Sequence, residues 1–153
     1  ELQGTVDEVN ASIGYLISIC CETMIGKEIK HVIDMLRDIQ YALFRIGTDV
    51  SSNFTKALLD ENEVIRLETE IDFMESKTGS LTNFIYYSGT QASTFTHVIR
   101  AVTRRAERVF AGLLTETVPH DYKYLNRLAD YFFALARYLN HLEEVEEEIM
   151  KLR

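Results

Sequence analysis

The chain has 153 residues, 46% of them hydrophobic and 26% charged, with a net charge of −8. That balance fits one soluble domain spanning 1–153, long enough to bury a real core. The acidic total argues against a nucleic-acid binder, and no run of about 18 apolar residues is present to span a membrane. Cys20 and Cys21 are adjacent, with no spaced partners for disulfides or metal ligation, and read as reduced, packed thiols of a cytoplasmic protein.

Apolar residues recur at helical spacing almost throughout. The first stripe is Leu2, Val6, Val9, Ile13, Leu16 and Cys20, and it starts almost at Glu1, with no initiator Met or signal peptide. A segment upstream is therefore expected. Gly26 separates this stripe from Ile29, Val32, Leu36, Ile39, Leu43 and Ile46, which GTDVSSN (47–53) is expected to end. Asp60 with Glu63 resembles a capping box ahead of Val64, Leu67, Ile71 and Met74. KTGSLTN (77–83) follows, then NFIYYSG (83–89), an aromatic loop that is either functional or a cap on the bundle end.

Ser88 with Gln91 suggests a cap for the fourth stripe: Phe95, Val98, Val102, Ala106, Val109 and Leu113. Pro119 suits the first turn of the fifth, which runs from Leu125 through Leu128, Phe132, Leu135, Leu139, Leu142 and Val145 to Ile149. Its acidic end, Glu143 to Glu148, reads as a solvated last helix without chemistry. The expected fold is all-α: a five-helix up-and-down bundle, ferritin-like in appearance.

HVIRAVTRRAER (97–108) concentrates positive charge in this acidic chain. At about 100° per residue, Arg100, Arg104 and Arg108 fan across about 80°, with His97 and Glu107 on the same arc and the apolar stripe nearly opposite. Arg105 stands to one side. Like charges four apart repel, so either nearby carboxylates or a bound polyanion must offset them. The face is a salt-bridged surface or a phosphate site, the latter suited to arginine's bidentate donors. On the fifth helix, Asn126, Asp130, Phe133 and Arg137 share one side, as a salt-bridged seam or part of the same site. Glu28 with His31 is the sole Glu-x-x-His pair of the kind a di-iron bundle needs twice, and is read as chance.

GTVDEVNASIG, IQYALFRIG, RLETEID, NFIYYSGTQAST, HVIRAVTRRAER and YLNRLADYFFALAR, in that order, resemble the PduO-type ATP:cob(I)alamin adenosyltransferases up to about Leu139. The resemblance implies a homotrimeric five-helix bundle with sites between subunits. It also implies transfer of the adenosyl group of ATP, with Mg2+, to the cobalt of a reduced corrinoid such as cobalamin. By that resemblance Arg104 grips the ATP phosphates and Arg100 pairs with Asp7. Asn126 belongs to the nucleotide site, and Glu107 and Arg108 support it. Phe84 displaces the lower axial ligand of the corrinoid, beside Tyr86 and Tyr87. A corrinoid reductase and a B12-dependent enzyme are the implied partners, and no resident metal is implied.

Two departures stand out. The family's glycine-rich stretch, with a Thr-Gly-Asp core, lies upstream of the first helix, so it either precedes Glu1 in the full protein or is lacking. The loop carries Tyr86-Tyr87-Ser88-Gly89 where the family has a proline followed by glycines. The alternative function is a non-catalytic bundle that binds nucleotide or corrinoid and delivers cofactor to an enzyme.

Overall fold

The computed structural model describes residues 1–53, 59–113 and 120–153. Five helices follow one another: α1 (Leu2–Thr23), α2 (Lys27–Ser51), α3 (Glu61–Thr78), α4 (Gln91–Ala111) and α5 (His120–Leu142). Among the described residues the only extended pairing is one isolated antiparallel bridge, Ile85 with Ile149. No described helix is long and apolar enough to cross a membrane.

The first three stripes become the buried faces of α1, α2 and α3 residue for residue. Gly26 is the N-cap of α2 at φ 118°. Asp60 caps α3 by accepting from the Asn62 N–H, whereas the Glu63 side chain binds Arg45 at 2.9 Å and so does not complete a capping box. α2 ends inside GTDVSSN, at Ser51, after running through its first five residues. Thr90, not Ser88, caps α4, accepting from the Ser93 N–H. The Pro119 expectation lies outside the described residues.

Each helix runs antiparallel to the next in the chain. Asn10 joins Gln40 between α1 and α2, and His31, Arg66 and Arg45 order α2 against α3. Ser93 donates to the Ala136 carbonyl at 2.7 Å between α4 and α5. The extensive contacts are α1 with α2, α1 with α4, α4 with α5 and α3 with α5, so α4 lies in the middle of the series, between α1 and α5. Cys20 is buried in the core and Cys21 is exposed, both free, so only Cys20 is the packed thiol expected; burial pushes it up to about 12.

Two expectations are corrected. The α4 core face is Ala92, Ser93, Thr96, His97, Ile99, Thr103, Ala106 and Phe110; of the expected stripe Ala106 belongs to it, Phe95, Val102 and Val109 pack half-buried at its side, and Val98 is 52% exposed. Relative to the expected stripe, α4 is turned by about 80° toward its arginines. The acidic run after Leu142 is not helical. Glu144 takes φ 57°, its N–H bonds the His141 carbonyl, and the Val145 N–H bonds the Asn140 carbonyl. This is the helix-ending Schellman pattern, here without glycine.

Asp121 opens α5 and Asp49 lies near the end of α2, both buried. Burial, then the hydrogen bond and charge of Asp49, push the Asp121 carboxyl up to about 8, against the pull of Arg45. The folded chain thus keeps a proton that the unfolded chain releases near about pH 4. Stability therefore falls as pH rises from about 4 to about 8 and levels off above. Asp121→Asn is expected to flatten this slope and to raise the melting temperature relative to the unaltered chain above about pH 8. Thermal melts across that range check it, and parallel curves for the two proteins count against it.

Candidate functional site

The turn of α4 decides what its cations can do. Arg105 pairs with Glu8 on α1, which assigns the one arginine the sequence left open. Arg100, Arg104 and Arg108 make no ion pair among the described residues. Arg104 and Arg108 are exposed, Arg100 is half-buried, and the Arg100 Nε is buried without a hydrogen-bond partner. Among the described residues the salt bridge of α4 is thus made by Arg105, to one side of the Arg100, Arg104 and Arg108 face. From Arg100 to Arg108 the row extends about 12 Å along the helix.

Asn126 on α5 donates from Nδ2 to Glu107 Oε1 at 2.7 Å, so these two expected site residues meet across the α4–α5 seam. Below them Arg127 binds Asp130 at 2.9 Å and Glu68 at 3.3 Å, which makes the salt-bridged seam expected of Asp130. Asp7 is exposed and not joined to Arg100 within one chain; the α1–α4 ion pair is Glu8 with Arg105. His31 binds Glu70 at 2.9 Å, which gives it a structural partner. No cluster of three or more His, Cys, Asp or Glu side chains that could hold a metal ion occurs among the described residues.

The aromatic loop lies at the N-terminal end of α4, in line with the arginine row. Tyr87 stacks on His97 with ring centroids 4.4 Å apart and 28° between planes. His97 meets Phe133 of α5 edge-on at 5.9 Å. The Arg100 guanidinium stands 5.1 Å over Tyr87. Tyr87 is thus part of a platform reaching the first arginine. His97 does not belong to the exposed cationic arc: it is buried, and burial, then the Arg100 charge, hold it down at about 4 against Glu147. It therefore stays neutral near neutral pH, so that stacking beside Arg100 adds no second cation.

Phe84 is 71% exposed and Tyr86 is 41% exposed. With Tyr87, Phe133, Ile149 and Met150, Phe84 lines a groove of about 870 Å³. A larger cleft of about 1410 Å³ opens elsewhere at that end, between α1, α2, α3, α5 and residues 143–147; Arg137 lines it, but the arginine row, Asn126 and the aromatic loop do not.

Asn140 holds the loop from beneath. Its Oδ1 accepts from the Thr90 N–H and its Nδ2 donates to the Ser88 carbonyl, both at 3.0 Å. Gly89 between them has φ 111°, and a Cβ there would overlap the Asn140 amide. His97, Asn140 and the platform role of Phe133 were not legible as site features. The one available signal was the kept glycine of the loop, whose partner lies some fifty residues away.

The cobalamin adenosyltransferase family matches residues 1–139. The chain belongs to that family. It is 36% identical over 156 residues to a corrinoid adenosyltransferase of Mus musculus, covering 99% of this chain and 66% of that protein. It is 35% identical to a corrinoid adenosyltransferase of Bacillus subtilis, covering 92% of this chain and 73% of the relative. Among solved structures, a variant of the PduO-type ATP:corrinoid adenosyltransferase of Lactobacillus reuteri, complexed with cobalamin and ATP, superposes with a TM-score of 0.85. It shares 32% identity and covers 98% of this chain and 82% of that one. The family match contains the arginine row, the aromatic loop, Asn126 and Arg137, and ends before Asn140.

Gly89→Ala is expected to destabilise the chain by about 1–3 kcal/mol, since alanine pays the positive-φ strain and displaces the Asn140 amide. Chemical denaturation measures it, and an unchanged midpoint contradicts the clamp.

Proposed function

We propose that this chain transfers the 5'-deoxyadenosyl group of ATP to the cobalt of cob(I)alamin, releasing triphosphate and forming adenosylcobalamin. The observation that carries this reading is the row Arg100, Arg104 and Arg108, free of carboxylate partners among the described residues and in line with an exposed aromatic loop. Membership of the family, and the ATP and cobalamin held by the Lactobacillus reuteri relative, support it.

The chemistry asks little proton transfer of the protein. Co(I) attacks the 5' carbon, the C–O bond to triphosphate breaks, and negative charge grows on the leaving group. Arg104, exposed and unpaired, grips the phosphates, with Arg108 beside it. Guanidinium groups fixed on a helix stabilise that charge without reorganising. Mg2+ brought in with ATP would add to the stabilisation of that charge. Asn126, oriented by Glu107, faces the nucleoside. Phe84, with Tyr86 and Tyr87, takes the place of the corrinoid's lower ligand and keeps water from the cobalt face.

The working assembly in this proposal is a homotrimer with sites between subunits. Tyr15, Tyr41 and Phe44 supply exposed aromatic surface for such contacts. Asp7 of one copy then pairs with Arg100 of the next, which is consistent with neither having an ionic partner among the described residues of one chain. A reductase must supply Co(I), and a B12-dependent enzyme consumes the product. Free cysteines at 20 and 21 suit a cytoplasmic setting.

Arg104→Ala is expected to lower kcat/KM for adenosyl transfer by about 10- to 100-fold or more while circular dichroism stays unchanged. Full activity would remove Arg104 from the phosphates. Phe84→Ala is expected to slow transfer by about tenfold or more with a corrinoid that keeps its lower base, and much less with one that lacks it. Equal effects on both substrates contradict the displacement role.

A further inference from the structure

The stretch after α5 carries no role in the proposed chemistry, and all of it lies beyond the family match. Yet it is tied to the aromatic loop by backbone. The Tyr86 N–H donates to the Glu148 carbonyl and the Met150 N–H to the Phe84 carbonyl, both at 2.8 Å. These bonds flank the Ile85–Ile149 bridge, and Ile85 is the one buried residue of the loop's aromatic stretch. Phe84 therefore stands on a backbone whose own partner is residue 150.

Two hydrogen bonds do not hold an isolated two-stranded ribbon in water. Arg137 supplies the anchor. Its side chain is 94% buried, and its Nε and Nη2 bind the two oxygens of Glu147 at 2.7 and 3.0 Å. Its Nη1 donates to the Gly79 carbonyl at 3.0 Å, and Nη2 also reaches the Thr78 carbonyl at 3.3 Å. One guanidinium thus fastens the end of α3, the body of α5 and the returning segment. A paired, bidentate contact of this kind fixes geometry as well as energy. Losing one partner leaves a charge buried without compensation.

We propose that the Arg137–Glu147 ion pair latches residues 145–150 against the aromatic loop, and that Arg137 and Glu147 are positioning residues that set where Phe84 meets the lower face of the corrinoid. This rests on the corrinoid reading of the loop. The latch acts on the corrinoid end of the site only. Arg104, Arg108 and Asn126 are carried by the middle and far end of the α4–α5 seam, so the nucleotide end does not depend on it.

Glu147→Gln tests the latch in the full-length protein, because it keeps the side-chain volume and removes the charge. Adenosyl transfer is measured with a corrinoid that keeps its lower base and with one that lacks it, together with the KM for ATP and amide hydrogen exchange at Tyr86 and Met150. The expected result is faster exchange at both amides and kcat/KM lowered about 10- to 100-fold for the base-bearing corrinoid. The loss is smaller for the other corrinoid, and the KM for ATP stays within about twofold, as no phosphate contact is touched. Glu147→Asp, which restores the charge, recovers part of the lost rate. Unchanged exchange, or faster exchange with unchanged corrinoid kinetics, overturns the latch. An equal loss on both corrinoids, or a raised KM for ATP, assigns Glu147 a general structural role and overturns it too. Absence of transfer in the unaltered protein overturns the functional reading itself, a result distinct from all of these.

Discussion

Three guanidinium groups on one helix face, left without carboxylates, are the constraint around which this molecule is arranged. Repulsion at four-residue spacing disfavours α4 as an isolated helix, so packing must hold it. The packing comes from the side: α4 presses a face of small and hydroxylated residues against its neighbours α1 and α5. Arg105 is neutralised by Glu8, Arg100 is shielded over Tyr87, and Arg104 and Arg108 are left facing outward. In a chain of net charge −8, carboxylates were available to quench all of them. Among the described residues only Arg105 is quenched.

The core face of α4 also explains where sequence reading succeeded and failed. In α1, α2 and α3 every residue of the aliphatic stripe is buried, so periodicity finds the core face, with Ile17, Ile19, Met35 and Ala42 widening it. In α4 the buried positions include Thr96 and Thr103, whose hydroxyls bind the Ala92 and Ile99 carbonyls at 2.6 and 2.8 Å. With its polar group satisfied inside the helix, a threonine packs as a small apolar residue. Val98 faces outward instead, and a hydropathy pattern reads the pair backwards. The acidic stretch after Leu142 failed for a related reason: Val145 and Ile149 keep helical spacing, but Glu144 adopts a left-handed conformation that no sequence rule assigns to glutamate.

Individual site residues were legible in type but not in connection. RRAER and YLNRL point to the arginine row and to Asn126, and the structure joins Glu107 to Asn126 directly. What no local pattern contains is the choice of partner. Nothing in the spacing distinguishes Glu8 from Asp7 as the α1 group that meets α4. The platform of Tyr87, His97 and Phe133 draws on three elements, and a histidine among four arginines reads as one more cation until its burial is known.

The bridge between residues 84–86 and 148–150 carries a consequence for the order in which the molecule is made. The loop is synthesised more than sixty residues before the segment its backbone binds. At about 5–20 residues per second that is an interval of about 3–13 seconds. During it α1, α2 and α4 can already meet, but α3 lacks its main neighbour α5 and the aromatic loop lacks its backbone partner. The aromatic loop therefore cannot take its final backbone pairing until the segment beyond α5 has been made.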